Sequence, residues 1–246
     1  MHVGIDLAWG PRGRTGLTIV DADGRYVDSA AVRTDGEIDG WLADRALVTV
    51  AIDAPLIVCN PIGMREAERA LSKDYATFHA GTHPTNLGTR HMNPPRGGRL
   101  AARHGWSLNP WPPATAEQTV AIEVYPHAAM VGLFGLPRIV RYKRKRHRTP
   151  ADRRSGFEQV LELFEGIETL QLPRQDRWRQ IRSLVAATTS HADLGQLEDE
   201  IDAILCAHLA WLWHTHRDRL RVYGDWEWGA IIAPPPPLRP PPRSGI

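Results

Sequence analysis

The chain has 246 residues, 42% of them hydrophobic and 24% charged, with a formal net charge of +2, a composition typical of a folded domain whose core needs neither disulfides nor a structural metal. No apolar run approaches the roughly 20 residues that span a bilayer, and the first residues form a strand pattern rather than a basic and apolar leader. We therefore expect a cytoplasmic protein without a membrane span.

The first third of the chain is dominated by strand patterns. Three short apolar segments, VGIDLAW, TGLTIVDADG and RYVDSAAV, are separated by turn residues and predict an antiparallel meander. A helix is expected over 36–45, and the apolar run LVTVAID after it predicts a buried strand parallel to the first. Asp6 and Asp53 would then both lie at carboxyl ends of strands.

The middle of the chain alternates between regular and irregular patterns. The segment MREAERALSKDY has the apolar spacing of a helix. Residues 77–118 hold many Pro, Gly, Asn and His residues with little periodicity, so we expect a long irregular insertion there. The run TVAIEVYP then predicts another strand, with Glu123 near its end, and a short helix that ends at Gly135 follows it.

The last third is mainly helical. Helices are predicted to begin at Thr149-Pro150, to cover about 176–190, and to run from about Leu197 to Arg217. The segment YGDWEWGAIIAP after them has the pattern of an edge strand. Together these patterns predict one domain over residues 1–233, a mixed sheet flanked by helices, followed by a proline-rich tail over 234–246.

Four isolated carboxylates are the candidates for chemistry: Asp6, Asp53, Glu123 and Asp202. Asp6 interrupts an apolar strand, where a charge is costly unless it is paired or ligated. Asp53 has a turn-capping alternative, and Glu123 could instead point to solvent. Oxygen ligands gathered at one sheet edge favour Mg²⁺ or Mn²⁺, and two such ions support phosphodiester hydrolysis. We predict a two-metal-ion nuclease with these four catalytic residues as ligands, and with Asp199, a surface neighbour of Asp202, as a further ligand.

The four acids lie in the motifs GIDLAWG, AIDAPL, IEVYP and DEIDAILCA. In this order and spacing the chain resembles the domain-of-unknown-function family DUF429, described as predicted nucleases with a ribonuclease-H-like fold. The resemblance covers Val3 to about Pro234. It implies an α/β, RNase H-like architecture with a mixed five-stranded sheet and helices on its sides.

Two more distant resemblances disagree on one metal ligand. The pattern is similar to that of Holliday-junction resolvases, which implies the set Asp6, Asp53, Asp199 and Asp202. Other bacterial members of the superfamily carry a Glu after the fifth strand, which implies Glu123 in place of Asp199. We favour Glu123.

The segment RIVRYKRKRHR, residues 138–148, is strongly basic, and we call it the basic segment. Its charge density predicts contacts with the phosphates of DNA or RNA, with Lys143, Arg144 and Arg146 as substrate-binding residues. The alternative is a solvated charged loop.

Further contacts with nucleic acid are suggested outside the arginines and lysines of the basic segment. Arg65 and Arg69 lie on one face of a predicted helix and are candidates for binding phosphate, or for pairing with nearby glutamates. Three aromatic residues are candidates for stacking on bases: Tyr142, Trp106 and Trp111.

Two other functions fit parts of the pattern. In a non-catalytic nucleic-acid-binding or scaffold protein, the carboxylates would be structural and the basic segment would make the contacts. In an actin-like or sugar-kinase-like phosphotransferase, GIDLAWG and TGLTIVD would form the first phosphate loop. That fold needs a second glycine-rich loop after the later Asp, whereas Asp53 is followed by Ala54-Pro55.

Overall fold

A computed structural model describes residues 1–111 and 118–238. Its centre is a five-stranded sheet in the order β3-β2-β1-β4-β5, formed by β1 (His2–Asp6), β2 (Thr15–Val20), β3 (Tyr26–Val32), β4 (Thr49–Ile52) and β5 (Val120–Glu123). Strands β1 to β3 form an antiparallel meander, while β4 runs parallel to both β1 and β5. The predicted mixed sheet is confirmed, and its topology is consistent with an RNase H-like fold.

Helices cover both faces of this sheet, which explains why its central strands are continuous apolar runs. The helices are α1 (Asp35–Leu42), α2 (Glu66–Tyr75), α3 (Arg96–Arg103), α4 (Pro126–Phe134), α5 (Pro150–Glu165), α6 (Asp176–Ala187) and α7 (His191–Thr215). Apolar residues of α1 and α3 pack with those of β1, β2 and β4 in one buried cluster. Residues of α4 to α7 form a second cluster that also contains Ala51 of β4 and Ile122 of β5.

Helix α7 begins six residues before its predicted start, because Ser190 caps it by accepting a hydrogen bond from the Asp193 amide (3.1 Å). Its backbone lies directly against the sheet. A Cβ atom on Gly4 of β1 would lie 2.1 Å from the Ala203 carbonyl oxygen, and one on Gly16 of β2 would lie 1.8 Å from that of Asp199. Since Gly16 pairs with Asp6 across β1 and β2, this contact brings Asp199 to the carboxyl end of β1.

The stretch predicted as irregular over 77–118 contains helix α3. The prediction missed it because two glycines lower the helix propensity of RGGRLAAR. Tertiary contacts stabilise the helix instead: Leu100 and Ala101 are buried, and Arg96 pairs with Asp35 (2.6 Å). Residues 112–117 of the predicted insertion lie outside the described part of the chain.

The predicted edge strand is a two-stranded hairpin. Strands β6 (Arg221–Asp225) and β7 (Gly229–Ala233) pair antiparallel, and a single bridge between Val124 and Ile232 joins β7 to the end of β5. Of the predicted tail, residues 239–246 are not among those described. Within the described residues, none of the helices combines the length and the apolar character needed to cross a membrane.

Candidate functional site

Four aspartates from three elements converge at one edge of the sheet, and we call them the acid cluster: Asp6, Asp53, Asp199 and Asp202. Asp6 ends β1, Asp53 directly follows β4, and the other two lie on α7. The Asp53 amide donates to the carbonyl of Ile5 (2.8 Å), which continues the parallel pairing of β1 and β4 up to the site. The strand ends and the overlying helix therefore deliver the carboxylates to the same place.

The carboxylates are close enough to alter one another's protonation. Burial raises the pKa of Asp6 well above its usual range, and the charges of the other three aspartates act in the same direction. Burial, together with the charge of Asp202, also raises the pKa of Asp53 to about 7 and that of Asp199 to about 7. Ionised carboxylates in this arrangement need positive charge beside them.

Lys143 supplies one positive charge from within the protein. Its Nζ atom lies 2.7 Å from Oδ2 of Asp202, a residue that is fully buried. Burial acts to lower the pKa of Lys143, but the charges of Asp202 and other acidic neighbours raise it well above its usual range. The structure therefore places this lysine, predicted as a phosphate contact, among the aspartates.

The two oxygens of Asp202 differ in their partners. Oδ1 accepts a hydrogen bond of 2.7 Å from the hydroxyl of Tyr142. Oδ2 is buried and its contact with Lys143 is not aligned as a hydrogen bond, so the attraction there is between charges. Oδ2 is thus a buried acceptor with unused capacity to bind a donor or a cation.

Glu123, the last residue of β5, has both carboxylate oxygens engaged. Oε1 accepts from Nη2 of Arg65 (2.5 Å), and Oε2 accepts from Nη1 of Arg65 (2.9 Å) and from the amide of Leu56 (3.0 Å). Burial raises the pKa of Glu123, while Arg65 opposes this shift. Glu123 lies near enough to Asp53 to influence its pKa, but its nearest partner is a guanidinium group.

Arg65 is buried rather than presented to solvent. It is 4% exposed, and its Nε atom donates to Oε1 of Glu68 (2.9 Å) in addition to the two bonds to Glu123. Arg65 is therefore paired with glutamates, which is the alternative that the sequence analysis gave for it. Arg69 on the same helix is exposed and donates to the Met64 carbonyl.

A family model described as "Protein of unknown function (DUF429)" matches residues 4–227. The chain belongs to this family. The matched residues include every member of the acid cluster, the Arg65–Glu123 pair and Lys143. No curated protein and no solved structure gives a significant match to the chain. The description of the matching model names no activity.

The arginines that follow Lys143 in this DUF429 protein face solvent. Arg144 and Arg146 are exposed, and among the ion pairs of the described residues neither forms one. The basic segment therefore begins inside the acid cluster, at Lys143, and continues as an accessible row of positive charge. Such a row can hold the phosphates of a polyanion.

The aromatic residues predicted to stack on bases do not lie beside the acid cluster as an accessible group. Tyr142 is fully buried and Trp106 is 8% exposed. Trp111 is 47% exposed, but it packs on Trp213 near the carboxyl end of α7. That end of the helix lies beside His2, at the edge of the sheet opposite the acid cluster.

Hard oxygen donors are the ligands that Mg²⁺ and Mn²⁺ prefer, and the acid cluster offers them. In residues 1–111 and 118–238, no group of three or more His, Cys, Asp or Glu side chains has an arrangement that could hold a metal ion. The buried Oδ2 of Asp202 and the raised pKa values of its neighbours nevertheless fit a cation-binding role. A metal bound at this edge would be held by Asp6, Asp53 and Asp202, with Asp199 beside them.

Proposed function

We propose that this DUF429 protein is a metal-dependent nuclease that hydrolyses phosphodiester bonds of DNA or RNA, with Mg²⁺ or Mn²⁺ as its cofactor. The acid cluster carries the proposal: four carboxylates from distant parts of the sequence meet at one sheet edge, beside a row of exposed arginines. Buried charges are normally paired with opposite charges or bound to metal ions. Here Lys143 faces four carboxylates, and burial raises the pKa of two of them to about 7.

In this proposal Asp6, Asp53 and Asp202 bind the metal ions. Glu123 and Asp199 are the two candidates for a fourth metal ligand. We rank Asp199 first because both oxygens of Glu123 already accept hydrogen bonds from Arg65 and a backbone amide. When bound, two such ions supply an activated water and neutralise the charge that develops on the phosphate.

The residues of the chain itself then orient and hold the substrate. Tyr142 fixes the position of the Asp202 carboxylate by a hydrogen bond. The amine of Lys143, 2.7 Å from Asp202, would face a phosphate bound at the same site and act on it as a point charge. Arg144 and Arg146 bind the neighbouring phosphates of the strand.

The test is a cleavage assay with labelled single-stranded DNA, duplex DNA, RNA, hybrids and branched junctions, each with Mg²⁺, Mn²⁺ or EDTA. We expect metal-dependent cleavage of at least one substrate by the wild-type protein and its loss in Asp6→Asn and Asp202→Asn. The matched control is Asp218→Asn, which removes an exposed carboxylate outside the acid cluster. Cleavage at the wild-type rate in Asp6→Asn would contradict the proposal.

The pairing of Lys143 with Asp202 favours a second candidate, a non-catalytic nucleic-acid-binding protein. In that case the lysine is the permanent partner of the acids, and the exposed arginines make the contacts with nucleic acid. Binding of nucleic acid that is unaffected by EDTA, without cleavage in any metal, is the result expected for this function.

A further inference from the structure

A cleft opens directly beside the acid cluster, and we call it the aromatic cleft. The space in and in front of it, including open solvent, is about 370 Å³. Its lining includes one member of the acid cluster, the buried ion pair of β5 and α2, and three aromatic side chains: Asp53, Glu123, Arg65, Trp9, His83 and Tyr125. A group bound in this cleft therefore lies next to the carboxylates that act on the scissile phosphate in the proposed function.

The aromatic side chains offer flat surfaces to an occupant. Trp9, three residues after Asp6, is 37% exposed although it borders the cleft, and His83 is exposed as well. Tyr125 is held in place because its hydroxyl donates to the Gly81 carbonyl (3.2 Å). Partly exposed aromatic faces of this kind stack on nucleobases with little preference for sequence.

The charges of the cleft exclude a phosphate as the occupant. The guanidinium group of Arg65 is already neutralised by Glu123 and Glu68, so it attracts no further anion. The carboxylate of Asp53 belongs to the acid cluster and offers an anion in the cleft no positive charge. A flat, neutral group fits these conditions.

The cleft and the basic segment flank the same point of the fold. The ring of His127, at the start of α4, lies 5.6 Å from the ring of Tyr125 in the cleft and 6.1 Å from the ring of Tyr142, the residue before Lys143. A strand whose phosphates lie on the basic segment can therefore run beside the cleft. One of its bases can enter the cleft while its backbone stays on the arginines.

We infer that the aromatic cleft is a subsite for one unpaired and unstacked nucleobase, and that the substrate is single-stranded DNA or RNA. This inference rests on the proposed function and names its substrate class. A base inside a duplex would have to unstack and unpair before it could enter the cleft. This step costs free energy, and the cost is smaller for a base that is already single-stranded.

Binding is measured by fluorescence anisotropy with the Asp6→Asn variant, which keeps the substrate intact. The probes are a short labelled single strand, the same strand in a duplex, and a single strand with abasic positions. We expect the unmodified single strand to bind about tenfold more tightly than either of the others, the effect of losing one stacked base. Equal affinity for the single strand and the duplex would overturn the inference.

Variants of the cleft complete the test. Trp9→Ala should weaken single-strand binding about tenfold, whereas Trp9→Phe should retain most of it, because a ring still stacks. Trp111→Ala is the matched control, since it removes an exposed tryptophan at the opposite edge of the sheet. An unchanged affinity in Trp9→Ala would reject the cleft as the subsite.

The two proposals can fail separately. If the anisotropy results are as expected but the wild-type protein cleaves no substrate, the subsite stands and the nuclease proposal fails. If the protein cleaves nucleic acid but Trp9→Ala binds the single strand as wild type does, the nuclease proposal stands and the subsite fails.

Discussion

Replacing Lys143 by methionine tests how the acid cluster is stabilised without metal. Removal of one partner of a buried ion pair costs about 3–5 kcal/mol, because the other charge stays buried without compensation. Asp202 is fully buried, while the Lys143 side chain is 27% exposed, so water screens part of the interaction. Asp202 also keeps its hydrogen bond from Tyr142 and can take up a proton.

We therefore expect Lys143→Met to lower the free energy of unfolding by about 2–3 kcal/mol at neutral pH in EDTA. For a chain of this size, such a loss lowers the Tm by about 5–10 °C. Circular dichroism at low salt measures the shift. Lys73→Met, which removes an exposed lysine of α2, is the control and should leave the Tm nearly unchanged.

The same variant distinguishes a cation-binding cluster from a purely structural ion pair. If the aspartates bind Mg²⁺, the metal replaces the missing positive charge, and MgCl₂ should raise the Tm of Lys143→Met more than that of the wild type. The double variant Lys143→Met/Asp202→Asn should recover part of the lost stability, because it removes the unpaired charge. A Tm of Lys143→Met equal to that of the wild type, or a loss that MgCl₂ does not reduce, would refute this reasoning.

The remaining predictions concern pH, Glu123 and the basic segment. Because burial raises the pKa of Asp53 to about 7, from about 4 in the unfolded chain, its protonation stabilises the metal-free protein at low pH, and this contribution is lost as the pH rises from about 4 to about 7. Urea unfolding in EDTA should show that Asp53→Asn loses less stability than the wild type over this pH range. An identical pH profile of the two proteins would show that Asp53 is not the source of the pH dependence. Glu123→Gln should destabilise the protein by about 3 kcal/mol, because it leaves Arg65 without full compensation, yet should retain Mg²⁺ binding in calorimetry; loss of binding without loss of stability would instead make Glu123 a ligand. Arg144→Ala/Arg146→Ala should weaken binding to single strands and reduce the slope of log K against log salt by about 2, and an unchanged slope would mean that these arginines do not contact phosphates.

The meander of β1 to β3, the parallel pairing of β4 with β1 and the strand-end positions of Asp6 and Asp53 were predictable because each depends on a simple sequence pattern. An apolar run that ends in Asp marks both a buried strand and the residue at its carboxyl edge. An Asp that interrupts the apolar stripe of a long helix similarly points toward the sheet. These signals need only the alternation of polar and apolar residues and the geometry of parallel strands.

The partners of the charged residues were not predictable in the same way. Lys143 is one cation in a dense basic run, and nothing in that run indicates that it turns inward to Asp202 while Arg144 faces solvent. Arg65 and Glu123 are 58 residues apart, and their bidentate pairing depends on the hairpin of β6 and β7, which contacts both α2 and β5. Helix α3 was missed because its stability comes from Leu100, Ala101 and Arg96 rather than from local propensity.

Isothermal titration calorimetry of Mg²⁺ and Mn²⁺ into EDTA-treated protein tests the central claim most directly. At pH 7.5, above the pKa of Asp53 and Asp199, the wild-type protein should bind at least one divalent ion. In Asp6→Asn the affinity should fall by at least tenfold, while Asp218→Asn should bind as the wild type does. No binding to the wild-type protein, or equal binding to Asp6→Asn, would contradict the account.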